Sequence, residues 1–139
     1  MEANEGELVS VRFNHTIVHS RDKKASATFL ADVLGLRAPS PFGHFLVVGL
    51  DDGASLDFVD AGGTDVVRQH YAFLIDEADF DAVFGRVRAR DLAYWADPFK
   101  QRPGEINRRD GGRGVYFEDP DGHLLEVLTR PYGSGGTTS

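Results

Sequence analysis

The chain has 139 residues, enough for one domain or for two small modules sharing a core, and 41% of them are hydrophobic, an ordinary share for a globular protein. A net charge of −7 argues against general nucleic-acid binding, and the lack of any cysteine excludes disulfides, thiolate metal sites and cysteine nucleophiles. No run approaches the roughly 18 apolar residues of a membrane span, so small molecules and other protein chains are the expected partners, and the cysteine-free composition fits a cytoplasmic location.

Residues 1–7 are polar and acidic, without the apolar stretch of a signal peptide, and read as a flexible tail. The run VRFNHTIVHS, Val11 to Ser20, alternates apolar and polar residues and predicts a half-buried strand carrying His15. A helix is expected over Lys23 to Leu34, with Phe29, Leu30, Val33 and Leu34 on its apolar face and Gly35 as its stop. VGLDDGASLDFVD, Val48 to Asp60, reads as strand, acidic turn and return strand, with Asp57 inside the return. DAGGTD, Asp60 to Asp65, lacks the lysine and following helix of a phosphate loop and reads as a linker.

RQHYAFLID, Arg68 to Asp76, is a second β-rich run and holds His70. A second helix is expected from Asp79 as N-cap, with Phe80, Val83, Phe84 and Val87 at helical spacing. Trp95 to Gly114 reads as a loop punctuated by Pro98, Pro103 and the Gly111-Gly112 pair. It carries Lys100, Arg102, Arg108, Arg109 and Arg113, a basic set suited to steering an anionic substrate. YFEDPDGHLLEVLT, Tyr116 to Thr129, repeats the strand–turn–strand pattern with Glu126 in its return strand. The final GSGGTTS, Gly133 to Ser139, has linker composition and reads as a second flexible tail.

These pieces form an internal repeat. Aligning Gly53 with Gly122 places an acid four residues later in each copy, Asp57 and Glu126. Phe29 lies fourteen residues after His15, and Phe84 fourteen after His70. The folded part is therefore read as one domain over residues 8–132, with module 1 at about 8–60 and module 2 at about 67–132. Each module is a strand with histidine, a helix, and strands ending in an acid. A strand shows alternate side chains to opposite faces, and one face must pack on its helix. The four repeated residues, His15, Asp57, His70 and Glu126, then converge if the other faces turn inward. Two imidazoles with one or two carboxylates suit a divalent metal such as Fe, Mn, Ni, Co or Zn. Asp57 is one methylene shorter than Glu, which favours a place behind the metal or a role as a base. Trp95 and Phe99 are candidates to line an apolar substrate pocket.

The segments NHTIVHS, FLADVLGL (Phe29 to Leu36), QHYAFLID and YFEDPDGHLLEVL together resemble the vicinal oxygen chelate superfamily, which holds glyoxalase I, fosfomycin- and bleomycin-resistance proteins and extradiol dioxygenases. The resemblance implies an α+β fold of paired βαβββ modules in a cupped, mostly antiparallel sheet around a central cavity, usually in a homodimer. It implies metal ligation by His15, His70 and Glu126, with Asp57 at the place of a fourth carboxylate. Tyr116, ten residues before Glu126, falls where the dioxygenases keep a tyrosine near substrate, and Arg113 is a further substrate-side candidate. The implied activity is metal-dependent chemistry on a small oxygenated substrate, with Glu126, Asp57 and Tyr116 as catalytic candidates. Lyase, isomerase, ring-cleaving dioxygenase and fosfomycin-type reactions remain open. The alternative is a metal-free protein of the bleomycin-resistance type that sequesters a drug or natural product.

Overall fold

Asp22 begins the first helix: its carboxylate accepts the backbone N–H groups of Lys24 and Ala25, two of the donors a helix start leaves unpaired. Gly35 ends that helix in the left-handed region at φ 74, where its N–H reaches back to the last turn. The computed structural model describes residues 8–135. In chain order it runs β1 (His15–Ser20), α1 (Lys23–Leu34), β2 (Ser40–Phe42), β3 (Phe45–Gly49) and β4 (Ser55–Asp60). It continues with β5 (His70–Leu74), α2 (Glu77–Ala89), β6 (Tyr94–Trp95), β7 (Gly114–Glu118) and β8 (Leu124–Leu128). These are two βαβββ units, each with a four-stranded mixed sheet, ordered β1-β4-β3-β2 and β5-β8-β7-β6. In both sheets the first strand pairs in parallel with the last, and the other ladders are antiparallel.

The repeat holds at the level of register. His15 stands opposite Ser55, with Asp57 two residues on; His70 stands opposite Leu124, with Glu126 two residues on. The row Trp95–Tyr116–Glu126–Ala72 across the second sheet therefore matches Ser40–Val47–Asp57–Ile17 across the first. The faces opposite these rows bury Val18, Leu56, Phe58 and Val48 in one sheet, and Phe73, Leu125, Val127, Val115 and Phe117 in the other. They pack with Phe29, Leu30 and Val33 of α1 and Phe80, Val83 and Val87 of α2 into a single core cluster. The Arg86 guanidinium ties the helices together by donating to the Val33 carbonyl at 2.8 Å.

Two boundaries differ from the sequence expectation. The strand expected from Val11 begins at His15, because β4 offers partners only from Ser55 onward; Val11 and Phe13 are 81% and 69% exposed. The second helix starts at Glu77 with Asp76 as its N-cap, three residues before the expected Asp79. Asp76 keeps an extended backbone and its carbonyl already accepts the Asp79 N–H, which places Asp79 inside the first turn. Residues 1–7 and 136–139, most of the two expected tails, lie outside the described residues.

A polar knot joins the modules where the β7–β8 turn meets the end of β1. Buried Asp121 accepts the Ser26 hydroxyl at 2.6 Å and the Arg21 backbone N–H at 2.8 Å. Buried His123 donates from Nε2 to the His19 carbonyl and accepts the Gln69 N–H at Nδ1. Asp121→Ala leaves those donors unpaired in the interior and is expected to cost about 2 to 4 kcal/mol, read from a urea midpoint shift. Arg21→Ala removes only the exposed half of the ion pair and is expected to cost less than about 1 kcal/mol.

Candidate functional site

Strand parity puts His70 on β5, Tyr116 on β7 and Glu126 on β8 on the face of the second sheet that turns away from α2. Tyr116 and Glu126 are direct cross-strand partners, and the Tyr116 ring stacks on the His70 imidazole with centroids 5.9 Å apart. His70 Nε2 lies 3.2 Å from Glu126 Oε1, and the carboxylate is 1% exposed.

The proton inventory of this pair is informative. His70 Nδ1 is 2.9 Å from the Leu124 carbonyl, which only accepts, so Nδ1 carries the hydrogen. Nε2 of a neutral imidazole then presents a lone pair to a carboxylate oxygen. Two lone pairs repel at that distance unless a cation, either a proton or a metal ion, lies between them. An imidazole whose other nitrogen is bound to a backbone carbonyl is also the usual arrangement of a metal-ligating histidine. The donor set fits a divalent metal.

Glu126 has a second partner that the sequence reading missed. The Tyr132 hydroxyl donates to the carboxylate, 2.7 Å from Oε1 and 2.5 Å from Oε2. Tyr116 Oη lies 2.9 Å from Tyr132 Oη, and Arg109 Nη1 donates to Tyr116 Oη at 3.0 Å. A guanidinium only donates and a carboxylate only accepts, so the proton order is fixed: Arg109 to Tyr116, Tyr116 to Tyr132, Tyr132 to Glu126. Burial, together with donation to Glu126, pushes the Tyr132 phenol far above its ordinary range, and burial raises Tyr116 as well, so both remain protonated donors.

An open cleft of about 680 Å³ adjoins this chain and is lined by Pro98, Phe99, Gln101, Arg109, Tyr116 and Tyr132, among others. Phe99, 79% exposed, stands at its rim. Asp97 shapes the loop beneath by accepting the backbone N–H groups of Phe99, Gln101 and Arg102. Trp95 pairs with Tyr116 across the β6–β7 ladder, and the Lys100 ammonium sits 4.7 Å from its ring centroid.

The other sequence candidates are placed elsewhere. His15 and Asp57 share the open face of the first sheet, where His15 Nδ1 meets Asn14 at 2.6 Å and Asp57 accepts the Ser55 hydroxyl at 2.7 Å. Within one chain they do not join His70 and Glu126 in a common ligand cluster. Arg113, a sequence candidate for substrate, pairs instead with Glu77 at 2.6 Å and Asp81 at 2.7 Å and lies over Phe80. It is three residues from Tyr116, an odd spacing that turns it to the helix side. Among the described residues, Asp119, Asp121 and His123 do gather within 4.8 Å. Asp121 and His123 form the inter-module knot and Asp119 accepts their backbone N–H groups; both ring nitrogens of His123 are already taken by backbone groups, so no lone pair is left for an ion.

The sequence profile of the glyoxalase/bleomycin resistance protein/dioxygenase superfamily matches residues 12–127, and the chain belongs to that superfamily. Among solved structures it is similar to the oxidase ChaP-H2, with 59% identity and a TM-score of 0.88, covering 92% of this chain and all of that one. It is likewise similar to the oxidase ChaP-H1, with 62% identity and a TM-score of 0.87, covering 89% of this chain and 99% of that one. The glutathione transferase FosA of Serratia marcescens is 31% identical over 121 residues, 82% of this chain and 77% of its own length.

Because Arg113 serves α2 and not the cleft, Arg113→Ala is expected to lower stability by about 1 to 2 kcal/mol in a denaturant melt. The same variant is expected to bind added divalent metal as the unchanged protein does, measured by calorimetric titration.

Proposed function

We propose that the protein is a metal-dependent oxidase of this superfamily, acting on a small substrate that offers two adjacent oxygens, with dioxygen as the electron acceptor. The observation that carries the metal is the His70 Nε2–Glu126 Oε1 pair, 3.2 Å apart with no proton donor between them when the imidazole is neutral. Oxidation is favoured over the other reactions of the superfamily by 59% and 62% identity to two proteins named oxidases, against 31% to FosA.

His70 and Glu126 would hold the ion. In this reading His15 of a second copy is the third ligand: it occupies in module 1 the register of His70 in module 2, on an exposed face. Asp57 would accompany it at the register of Glu126, too short to reach as readily and suited to act as a base. The working unit is then a homodimer. A bound divalent ion supplies Lewis acidity and open positions for paired oxygens. Around it, Tyr116, with Trp95 behind it in the ladder, gives the cleft an aromatic wall, and Pro98 and Phe99 bound it. Arg109 presents positive charge beside an anionic substrate oxygen.

The test uses chelator-stripped, untagged protein reloaded with Fe(II), an oxygen electrode and a panel of catechols. Oxygen uptake is expected only with metal, falling at least about a hundredfold in His70→Ala. Thiol addition to fosfomycin with no oxygen uptake would replace this reading with a transferase one. Binding of aromatic drugs undiminished by chelator, again without oxygen uptake, would replace it with sequestration.

The shared site has its own signature. His15→Ala and Glu126→Gln are each expected to lose tight metal binding as pure proteins. Mixed and re-equilibrated, they are expected to regain one intact site per heterodimer, read as recovered metal content.

A further inference from the structure

The segment after the last strand is held against the protein by Asp110. This residue sits in the turn Arg109–Gly111, is buried, and has a left-handed backbone at φ 57. Its carboxylate accepts the Gly133 N–H at Oδ2, 3.0 Å away, and the Gly135 N–H at Oδ1, 3.2 Å away. Gly135 approaches the Asp110 backbone so closely that a Cβ there would overlap its carbonyl, and Gly133 is itself left-handed at φ 78. Between these anchors and β8 lies Tyr132. The residue is 60% exposed, yet its hydroxyl reaches both oxygens of a carboxylate that is 1% exposed. An exposed tyrosine whose hydroxyl end is fixed on a buried acid is placed by its backbone, and Asp110 fixes that backbone.

We infer that Tyr132 is a positioning residue of the metal site: held in place through Asp110, it sets the orientation of the Glu126 carboxylate toward His70. This rests on the metal reading above and extends it to a strap that lies outside both sheets. A carboxylate in a strand is free to turn about its last bond. A donor that spans both oxygens restricts that rotation and keeps Oε1 beside His70 Nε2. The same phenol lines the cleft and receives the Tyr116 proton, so the orientation of Glu126 is coupled to whatever occupies the cleft.

Cobalt(II) titration of the chelator-stripped full chain, followed by its visible absorption bands, tests this. Tyr132→Phe keeps the ring and removes the donor. It is expected to weaken Co(II) binding about 10-fold to 100-fold and to change band shape, while the metal-free protein keeps its fold by circular dichroism. Asp110→Asn, which keeps the left-handed turn but weakens the tether, is expected to shift the bands the same way. The Tyr132→Phe/Asp110→Asn double variant is expected to do no more than Tyr132→Phe alone. Tyr132→Phe with wild-type affinity and bands would overturn the inference and leave the metal site standing. Full additivity of the two substitutions would overturn the tether. Failure of the unchanged protein to bind Co(II) would overturn this inference together with the metal reading.

Discussion

A carboxylate lies at the centre of an otherwise apolar strand, and the architecture around it answers the cost of burying it. Ionised acids inside a protein cost several kcal/mol unless they are paired and hydrogen-bonded. Glu126 is met by an imidazole and by a phenol that is itself held by a second phenol and a guanidinium. Each group comes from a different stretch: β5, the strap after β8, β7 and the long loop before it. Burial of the acid draws on all four segments, so the fold and the site support each other.

The duplication has an asymmetric outcome. Both modules present histidine and acid on the open face at matching registers, but only module 2 builds a shell around them. Opposite Glu126 stands Tyr116, with an aromatic ring and a hydroxyl; opposite Asp57 stands Val47, with neither. The helix-facing sides have diverged less, since each module buries large apolar residues against its helix. Packing keeps the two halves alike while polar chemistry concentrates in one of them. Module 1 leaves apolar side chains open beside His15, notably Phe13 and Ile17.

Much of this was legible in the sequence because it depends on local rules. Asp22 and Gly35 bound α1 through capping geometry that short motifs encode, and the acid four residues after each turn glycine revealed the repeat. Alternation within strands set His70 and Glu126 on the face away from the helix, without saying which histidine would meet which acid. What escaped depended on distant partners. Val11 to Phe13 alternate as a strand should, yet the opposing strand reaches no farther back than the Asn14 carbonyl, which accepts the Ser55 N–H. Arg113 looked available to a substrate until strand parity turned it toward two acids on α2, a check the sequence alone permitted. Tyr132 was hidden by its neighbours. The glycines and serine after it have linker composition, and the residue that orders them, Asp110, lies more than twenty positions earlier in a loop whose own shape no periodicity announces.

The strap after β8 also bears on how this domain is delimited. A boundary drawn by ladder hydrogen bonds would fall at Leu128 and retain every strand and both helices. Such a trimmed protein would keep its topology and most of its apolar interior, while uncovering one side of its most deeply placed acid. Secondary structure therefore understates where this domain ends. The described chain stays against the fold as far as Gly135, a glycine pressed onto the Asp110 turn, so an addition close behind it would sit nearer the chemistry than the strand map suggests.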